Sequence, residues 1–248
     1  MAAAVIMAAG KGTRMQSDLP KVLLPVLGRP MIEYVLDAVS TAGVDRVVVV
    51  VGYRAELVQE TLAGRPNVQF VLQAEQLGTG HAVKVCRDAL SDYEGPVVVV
   101  AGDSPMLLAD SLRTLLGTFA ETQPACLLGT ARKPDPTGYG RIVRDAEGRF
   151  VGVVEQKDAT PEQQKIDEVN LSTYVFDRGE LFWALDRLQN ANNQREYYLT
   201  DCPALLLAAG RRVDALPVLQ PREALSVNTL QELASVEAVM RHERSQDL

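Results

Sequence analysis

Three stretches of the chain carry apolar side chains without alternation: AAAVIM at its start, RVVVVVG over 46–52 and PVVVVAG over 96–102. A strand with one wet face alternates between apolar and polar residues, so unbroken runs bounded by glycine or proline predict strands buried on both faces, as in a parallel sheet covered by helices. Between them the spacing turns helical. PMIEYVLDAVSTAG (30–43) and RAELVQETLAG (54–64) end at Gly43 and Gly64, and a shorter run, GHAVKVCRDAL (80–90), precedes the third valine stretch. Strand and helix in alternation predict β-α-β units with right-handed crossovers.

After about residue 120 the texture changes. TGYGRIVRDAEGRFVGVVEQKDA (137–159) has short alternating segments around an EGR turn, which predicts a hairpin leaving the main sheet. RGELFWALDRL (178–188) and the run around YLTDCPALLLAAG (198–210) return to helix, and TLQELASVEAVMRHERSQDL predicts a last helix with a fraying, charged end. The expected fold is α/β, a Rossmann-like mixed, mostly parallel sheet flanked by helices. No internal repeat, low-complexity tract or linker stands out, so residues 1–227 are expected to form one domain, with 228–248 a C-terminal helix and tail.

Composition narrows the function. With 248 residues and 47% hydrophobic content the chain supports a sizeable core. Its net charge of −7 argues against nucleic acid as a partner, because phosphate-backbone binding needs a basic face. Cys86, Cys126 and Cys202 are isolated, which suggests neither a disulfide framework nor a zinc site and points to a reducing, cytoplasmic setting. The opening MAAAVIMAAG lacks the basic start of a signal peptide, and no apolar run approaches the roughly 18 residues that span a bilayer.

Candidate chemistry begins right after the first strand. MAAGKGTRM packs two glycines, a lysine, a threonine and an arginine into positions 10–14. It is no Walker A loop, because Gly12 follows Lys11 and Val5 stands where the first glycine belongs. A dinucleotide fingerprint fails as well, with Met15 at the third glycine position and Glu33 inside a helical run instead of at a strand end. What remains is a glycine-rich loop with Lys11 and Arg14, followed by Lys21, able to neutralise several phosphate charges or to serve as an ordinary turn.

In parallel sheets ligands bind beyond the carboxyl ends of the strands, which draws attention to Asp103 in AGDSP. It suits a turn or helix cap, or a Mg²⁺ ligand beside substrate phosphates. His242 lies in the charged tail, and His81 reads as a packing residue at a helix start, so neither a Ser-His-Asp triad nor a histidine metal cluster is expected. A nucleophile that is itself a phosphate needs no general base, and catalysis then reduces to positioning and charge neutralisation.

Together MAAGKGTRM, DLPKVLLPVLGRPMIEYV, LQAEQLGTGHAV, VVVVAGDSPML, PTGYGRI, VVEQKDAT and EYYLTD resemble, in order and over nearly the whole chain, the uridylyltransferase (pyrophosphorylase) half of the bacterial bifunctional enzymes that make UDP-N-acetylglucosamine. The resemblance implies a glycosyltransferase-A-type nucleotidyltransferase fold. It also implies the reaction of UTP with N-acetylglucosamine 1-phosphate to UDP-N-acetylglucosamine and pyrophosphate, with Mg²⁺ as cofactor, for cell-wall precursor biosynthesis.

By the same resemblance Arg14 and Lys21 are catalytic, holding the triphosphate and stabilising charge at the α-phosphorus, while Met7, Ala8, Gly10 and Gly12 form the loop against it. Gln73, Gly78 and Thr79 match uracil-reading positions. Gly140, Glu155, Asn170, Tyr198 and Thr200 match contacts to N-acetylglucosamine, and Asp103 and Asn228 match the metal ligands. Taken singly, Asn228 reads as the N-cap of the last helix, and Tyr198 as a core aromatic.

The chain departs from the resembled pattern at two places: Ala101 replaces the tyrosine of a YGD motif, and Asn170-Leu171-Ser172 replaces N-T-G. Both changes fall on the sugar side and keep glucose 1-phosphate open as an alternative substrate. A non-catalytic nucleotide-sugar-binding subunit is the third reading. No hexapeptide-repeat β-helix follows in this sequence, so acetyl transfer is not expected and a monomer or weak homo-oligomer is.

Overall fold

The computed structural model describes residues 2–15, 17–192, 194–225 and 227–246. In chain order the elements are β1 (Ala2–Ala8), β2 (Pro25–Val26), β3 (Arg29–Pro30), α1 (Met31–Thr41), β4 (Val44–Val51), α2 (Ala55–Thr61), β5 (Val68–Leu72), α3 (Thr79–Lys84) and β6 (Pro96–Ala101). They continue with α4 (Ala109–Thr122), β7 (Cys126–Arg132), β8 (Gly140–Arg144), β9 (Phe150–Val154), β10 (Glu168–Asp177), α5 (Arg178–Leu185), α6 (Cys202–Ala208), β11 (Val213–Leu216) and α7 (Leu230–Gln246).

The three unbroken apolar runs become β1, β4 and β6, side by side at the centre of a nine-stranded sheet whose main path is β11-β7-β10-β6-β1-β4-β5. Strands β5, β4, β1 and β6 are parallel neighbours. Strand β10 runs antiparallel to both β6 and β7, and β11 is parallel to β7. The predicted hairpin is β8 and β9, and β8 also pairs with the start of β10. The sheet is therefore mixed and mostly parallel.

Alternation explains the runs. Ile6, Val49 and Val98 pack on one face with Ile32, Val58 and Leu115 of α1, α2 and α4. Their neighbours Val5, Val48 and Val99 pack on the other with Val83, Leu185 and Leu206 of α3, α5 and α6. The valines of all three strands are thus buried on both faces, and each contributes roughly 1.5–3 kcal/mol.

Several helices stop short of their patterns. The run over 54–64 gives α2 only to Thr61, and that over 80–90 gives α3 to Lys84 with a separate 3-10 turn at Asp88–Leu90. The last helix buries Val236 in a small third cluster with Met15, Leu24, Val26, Met31 and Met106, which docks it beside the first loop. The final two residues of the predicted tail lie outside the described residues. Among the described residues no helix is long and apolar enough to cross a membrane.

Candidate active site

Register brings the strand ends together. Ala8 pairs with Val51 and Met7 with Ala101, so β1, β4 and β6 finish side by side, and a cleft of about 660 Å³ opens at this carboxyl end. Its floor begins with Met7 and Ala8 and continues into the glycine-rich loop, where Gly10, Lys11, Gly12 and Arg14 all line it. The loop is anchored at Ala9, whose carbonyl accepts from Tyr53 N–H at 3.1 Å and from the Gln76 side chain at 2.9 Å. Gly12 has φ +68°, and a Cβ there would lie 2.7 Å from Cβ of Lys21. Only glycine lets the Lys21 stem lie this close to the loop.

Lys21 is turned inward. Its side chain is 13% exposed, and its ammonium contacts the Asp103 carboxylate and donates to Asn228 Oδ1 at 2.7 Å. Asp103 caps no helix: α4 starts six residues later, with Leu108 at its N-cap. Nor does Asn228 cap α7. Thr229 Oγ1 accepts the Glu232 N–H at 3.2 Å, and the Glu232 carboxylate accepts the backbone N–H of Asn228 and Thr229 at 2.6 and 2.9 Å. With the cap made by the next residue, the Asn228 side chain is left to reach Lys21. Arg14 is exposed and makes no hydrogen bond or ion pair among the described residues, while the Lys11 ammonium lies 5.1 Å from the Tyr53 ring centroid.

Beyond the loop, Gln73 follows β5 and is 4% exposed, its backbone N–H held by Val51 O at 2.8 Å. Gly78 and Thr79 line the same wall. Gly78 has φ +104°, and an added Cβ would fall 2.6 Å from the Tyr197 carbonyl. That close approach comes from a strip in which Tyr197 N–H donates to Leu77 O, Gly80 N–H to Tyr197 O and Leu199 N–H to the Thr79 hydroxyl. The wall is thereby tied to the segment carrying Tyr198 and Thr200.

The side of the cleft formed by β8, the end of β9 and β10 carries the Glu155 carboxylate. Gly140, Glu155 and Asn170 line it, with Gly140 and Asn170 paired across β8 and β10. Burial raises the Glu155 carboxyl above the usual carboxylate range, opposed by a hydrogen bond from Thr200 and reinforced by Asp158 and Asp201. Asn170 donates to the Tyr174 hydroxyl at 2.8 Å. Thr200 therefore stands behind Glu155, and Tyr198, which does not line the cleft, donates its hydroxyl to Gln194. Ala101 and Ser172 both line the cleft, Ser172 with a left-handed φ of +54°.

Sequence reasoning did not single out Gln76, Tyr139, Glu196 or Glu223, which also line the cleft. Gln76 lies in the same LQAEQLGTG motif as Gln73, and a second amide three residues on was its available signal. Glu223 accepts the Gln220 N–H in a capping box of its own 3-10 turn, a local signal in QPRE, and also binds Ser111 and Leu108 N–H from more than a hundred residues away, which nothing local announces.

A cleft at the carboxyl edge of a mostly parallel sheet, lined by Lys11, Arg14 and Lys21 and by Asp103, Glu155 and Asn170, is where an α/β protein binds its ligand. The sequence profile of the nucleotidyl transferase family matches residues 3–217, and the chain belongs to that family. It is 45% identical over 246 residues to the bifunctional protein GlmU of Pelotomaculum thermopropionicum, covering 99% of this chain and 53% of that protein. To the GlmU protein of Exiguobacterium sibiricum it is 47% identical over 238 residues, covering 96% and 53%. The chain thus spans about half the length of these curated relatives. A solved structure of UDP-glucose pyrophosphorylase complexed with UDP-glucose superimposes with TM-score 0.77 at 17% identity, covering 97% of this chain and 98% of that one, which shows a shared fold.

Proposed function

We propose that the protein transfers a uridylyl group from UTP to N-acetylglucosamine 1-phosphate, forming UDP-N-acetylglucosamine and pyrophosphate. The observation that carries this reading is that one cleft is lined both by the cations of the first loop, Lys11, Arg14 and Lys21, and by Glu155 with Asn170 of the β8–β10 side. A triphosphate is attracted to the first and repelled by the second, while sugar hydroxyls donate to the second. The identity to the two GlmU proteins over nearly the whole chain supports the same assignment.

In this reaction a phosphate oxygen of the sugar phosphate attacks the α-phosphorus, the bond from that phosphorus to the bridging oxygen breaks, and pyrophosphate leaves with the bond's electron pair. The sugar phosphate is already ionised near neutral pH, so no base has to remove a proton. Arg14 and Lys21 neutralise charge on the triphosphate and on the α-phosphoryl oxygens as bonds rearrange. Open backbone at Gly10 lets the phosphates approach the loop, and Gly12 lets the Lys21 stem lie against it. Gln73, Gly78 and Thr79 face the base, and Glu155 and Asn170, backed by Thr200 and the Tyr198 segment, orient the sugar so that its phosphate lies in line.

Mg²⁺ fits the residues present. Asp103 and Asn228 bring one carboxylate and one amide oxygen onto a single cationic head, that of Lys21, a hard-oxygen pair suited to a cation that takes few carboxylates and completes its shell with phosphates and water. Among the described residues no cluster of three or more His, Cys, Asp or Glu side chains offers a protein-only alternative. When bound, the ion supplies charge neutralisation between the phosphates.

The test is pyrophosphate release with Mg²⁺ across UTP, CTP, ATP, GTP and dTTP and a panel of sugar 1-phosphates. Turnover confined to UTP with N-acetylglucosamine 1-phosphate is expected. Preference for glucose 1-phosphate moves the assignment to another uridylyltransferase, and no turnover with any pair removes it.

A further inference from the structure

We infer that His81 is a positioning residue that makes Gln73 selective for a pyrimidine bearing an N–H at position 3, an inference that rests on the uridylyl-transfer reading. Gln73 Nε2 lies 3.1 Å from the Gly78 carbonyl oxygen and 3.1 Å from His81 Nδ1. A carbonyl oxygen only accepts, so the amide atom facing Gly78 is the nitrogen, and this fixes which way round the amide sits. Its second hydrogen then points at His81 Nδ1, which has to offer a lone pair. The imidazole is therefore neutral, with its own hydrogen on Nε2.

The consequence lies on the other side of the amide. With both hydrogens committed, Gln73 has only Oε1 left for the cleft it lines, and that oxygen takes no hydrogen bond from the described residues. Uracil presents N3–H to such an acceptor. Cytosine presents a bare N3, and two lone pairs meet. Gly78 still holds one hydrogen and the sense of the amide, but removing the His81 acceptor leaves the other hydrogen unpaired in a site that is 4% exposed and frees the amide to swing about its single remaining hydrogen bond, so that Oε1 is no longer held toward the base.

Two variants separate this role from packing. His81→Phe keeps a ring and loses the acceptor, whereas His81→Asn places a carbonyl oxygen near the Nδ1 position. With saturating sugar 1-phosphate, His81→Phe is expected to raise KM for UTP about tenfold, to leave kcat within about a factor of two, and to lower the UTP-over-CTP ratio of kcat/KM by about the same tenfold. His81→Asn is expected to restore most of the ratio. Should the Phe variant fail to fold in a thermal melt, the Asn variant decides alone: retained selectivity supports the relay, lost selectivity overturns it. Wild-type selectivity in His81→Phe, or equal impairment in both variants, overturns it too. A wild-type protein with no preference for UTP defeats the uridylyl-transfer reading itself.

Discussion

Lys21 Nζ donates to Asn228 Oδ1 across 2.7 Å, joining the first loop of the chain to the entry of its last helix, and the same ammonium contacts Asp103 at the end of the central strand β6. One cation therefore sits on the two oxygens proposed to hold Mg²⁺. Asp103→Ala is expected to lower turnover by on the order of a thousandfold with the fold retained, as loss of a central charge-stabilising group does. Pyrophosphate release and a circular-dichroism melt check both halves, and near-wild-type turnover would remove Asp103 from the metal site.

The same contact predicts competition. Lys21→Met leaves the oxygen pair without its internal counter-ion, so nucleotide-free Mn²⁺, followed by electron paramagnetic resonance, is expected to bind this variant more tightly than wild type. Unchanged or weaker Mn²⁺ binding would show that the Lys21 ammonium and the metal do not share these oxygens.

Glu155, proposed to face the sugar, makes that side of the cleft sensitive to pH. Burial is the largest influence on its carboxyl and raises it, Thr200 opposes, and Asp158 and Asp201 raise it further. A carboxyl raised on folding contributes stability that is present below its unfolded value, about 4.3, and lost as pH rises through the folded value. Glu155→Gln removes that loss. Its stability relative to wild type is expected to grow between about pH 4 and neutrality, while KM for the sugar phosphate rises roughly tenfold to a hundredfold and KM for UTP stays near wild type. Urea titrations at several pH values decide the first part; a stability difference flat across this window contradicts the assigned environment.

The central architecture was legible because Val48 and Val49, or Val98 and Val99, face opposite layers that are both apolar, so the run itself reports burial on two faces. Helix α4 was not legible in the same way. It starts at Ala109 with no side-chain cap of its own, and the carboxylate that binds Leu108 N–H and Ser111 is Glu223, more than a hundred residues away. Strand β10 hides its period because its register slips between Asn170 and Thr173. Site residues divide likewise. The loop cations and Asp103 follow strands that announce themselves, whereas Asn228 looks like a helix cap until Thr229 is seen to take that role.

Gly78 tests how far the base-facing wall depends on its backbone. At φ +104° an alanine is strained, and its Cβ would meet the Tyr197 carbonyl that accepts the Gly80 N–H. Gly78→Ala is expected to destabilise the protein by about 1–3 kcal/mol and to raise KM for UTP at least tenfold, because the strip from Leu77 to Leu199 has to separate. Differential scanning fluorimetry with initial-rate kinetics reads both; a variant with wild-type melting and wild-type KM rules out the close approach.

Ser172 offers the opposite case, a residue that already carries strain. It lines the cleft beside Asn170, the side proposed to hold the sugar, with φ +54°, and its N–H is accepted by the Asn170 side chain at 3.3 Å. Glycine there relieves left-handed strain of about 1–2 kcal/mol but loses about 0.4–1 kcal/mol through the freer unfolded chain. The two effects oppose, so Ser172→Gly is expected to change stability by no more than about 1 kcal/mol in either direction. Any change in sugar preference then reports the pocket and not the fold. Removing the hydroxymethyl group opens the cleft beside Asn170, and KM for N-acetylglucosamine 1-phosphate is expected to fall severalfold while that for UTP is unchanged. Kinetics with N-acetylglucosamine 1-phosphate and glucose 1-phosphate side by side give the answer: an unaltered KM for both sugars means that Ser172 does not shape the sugar pocket.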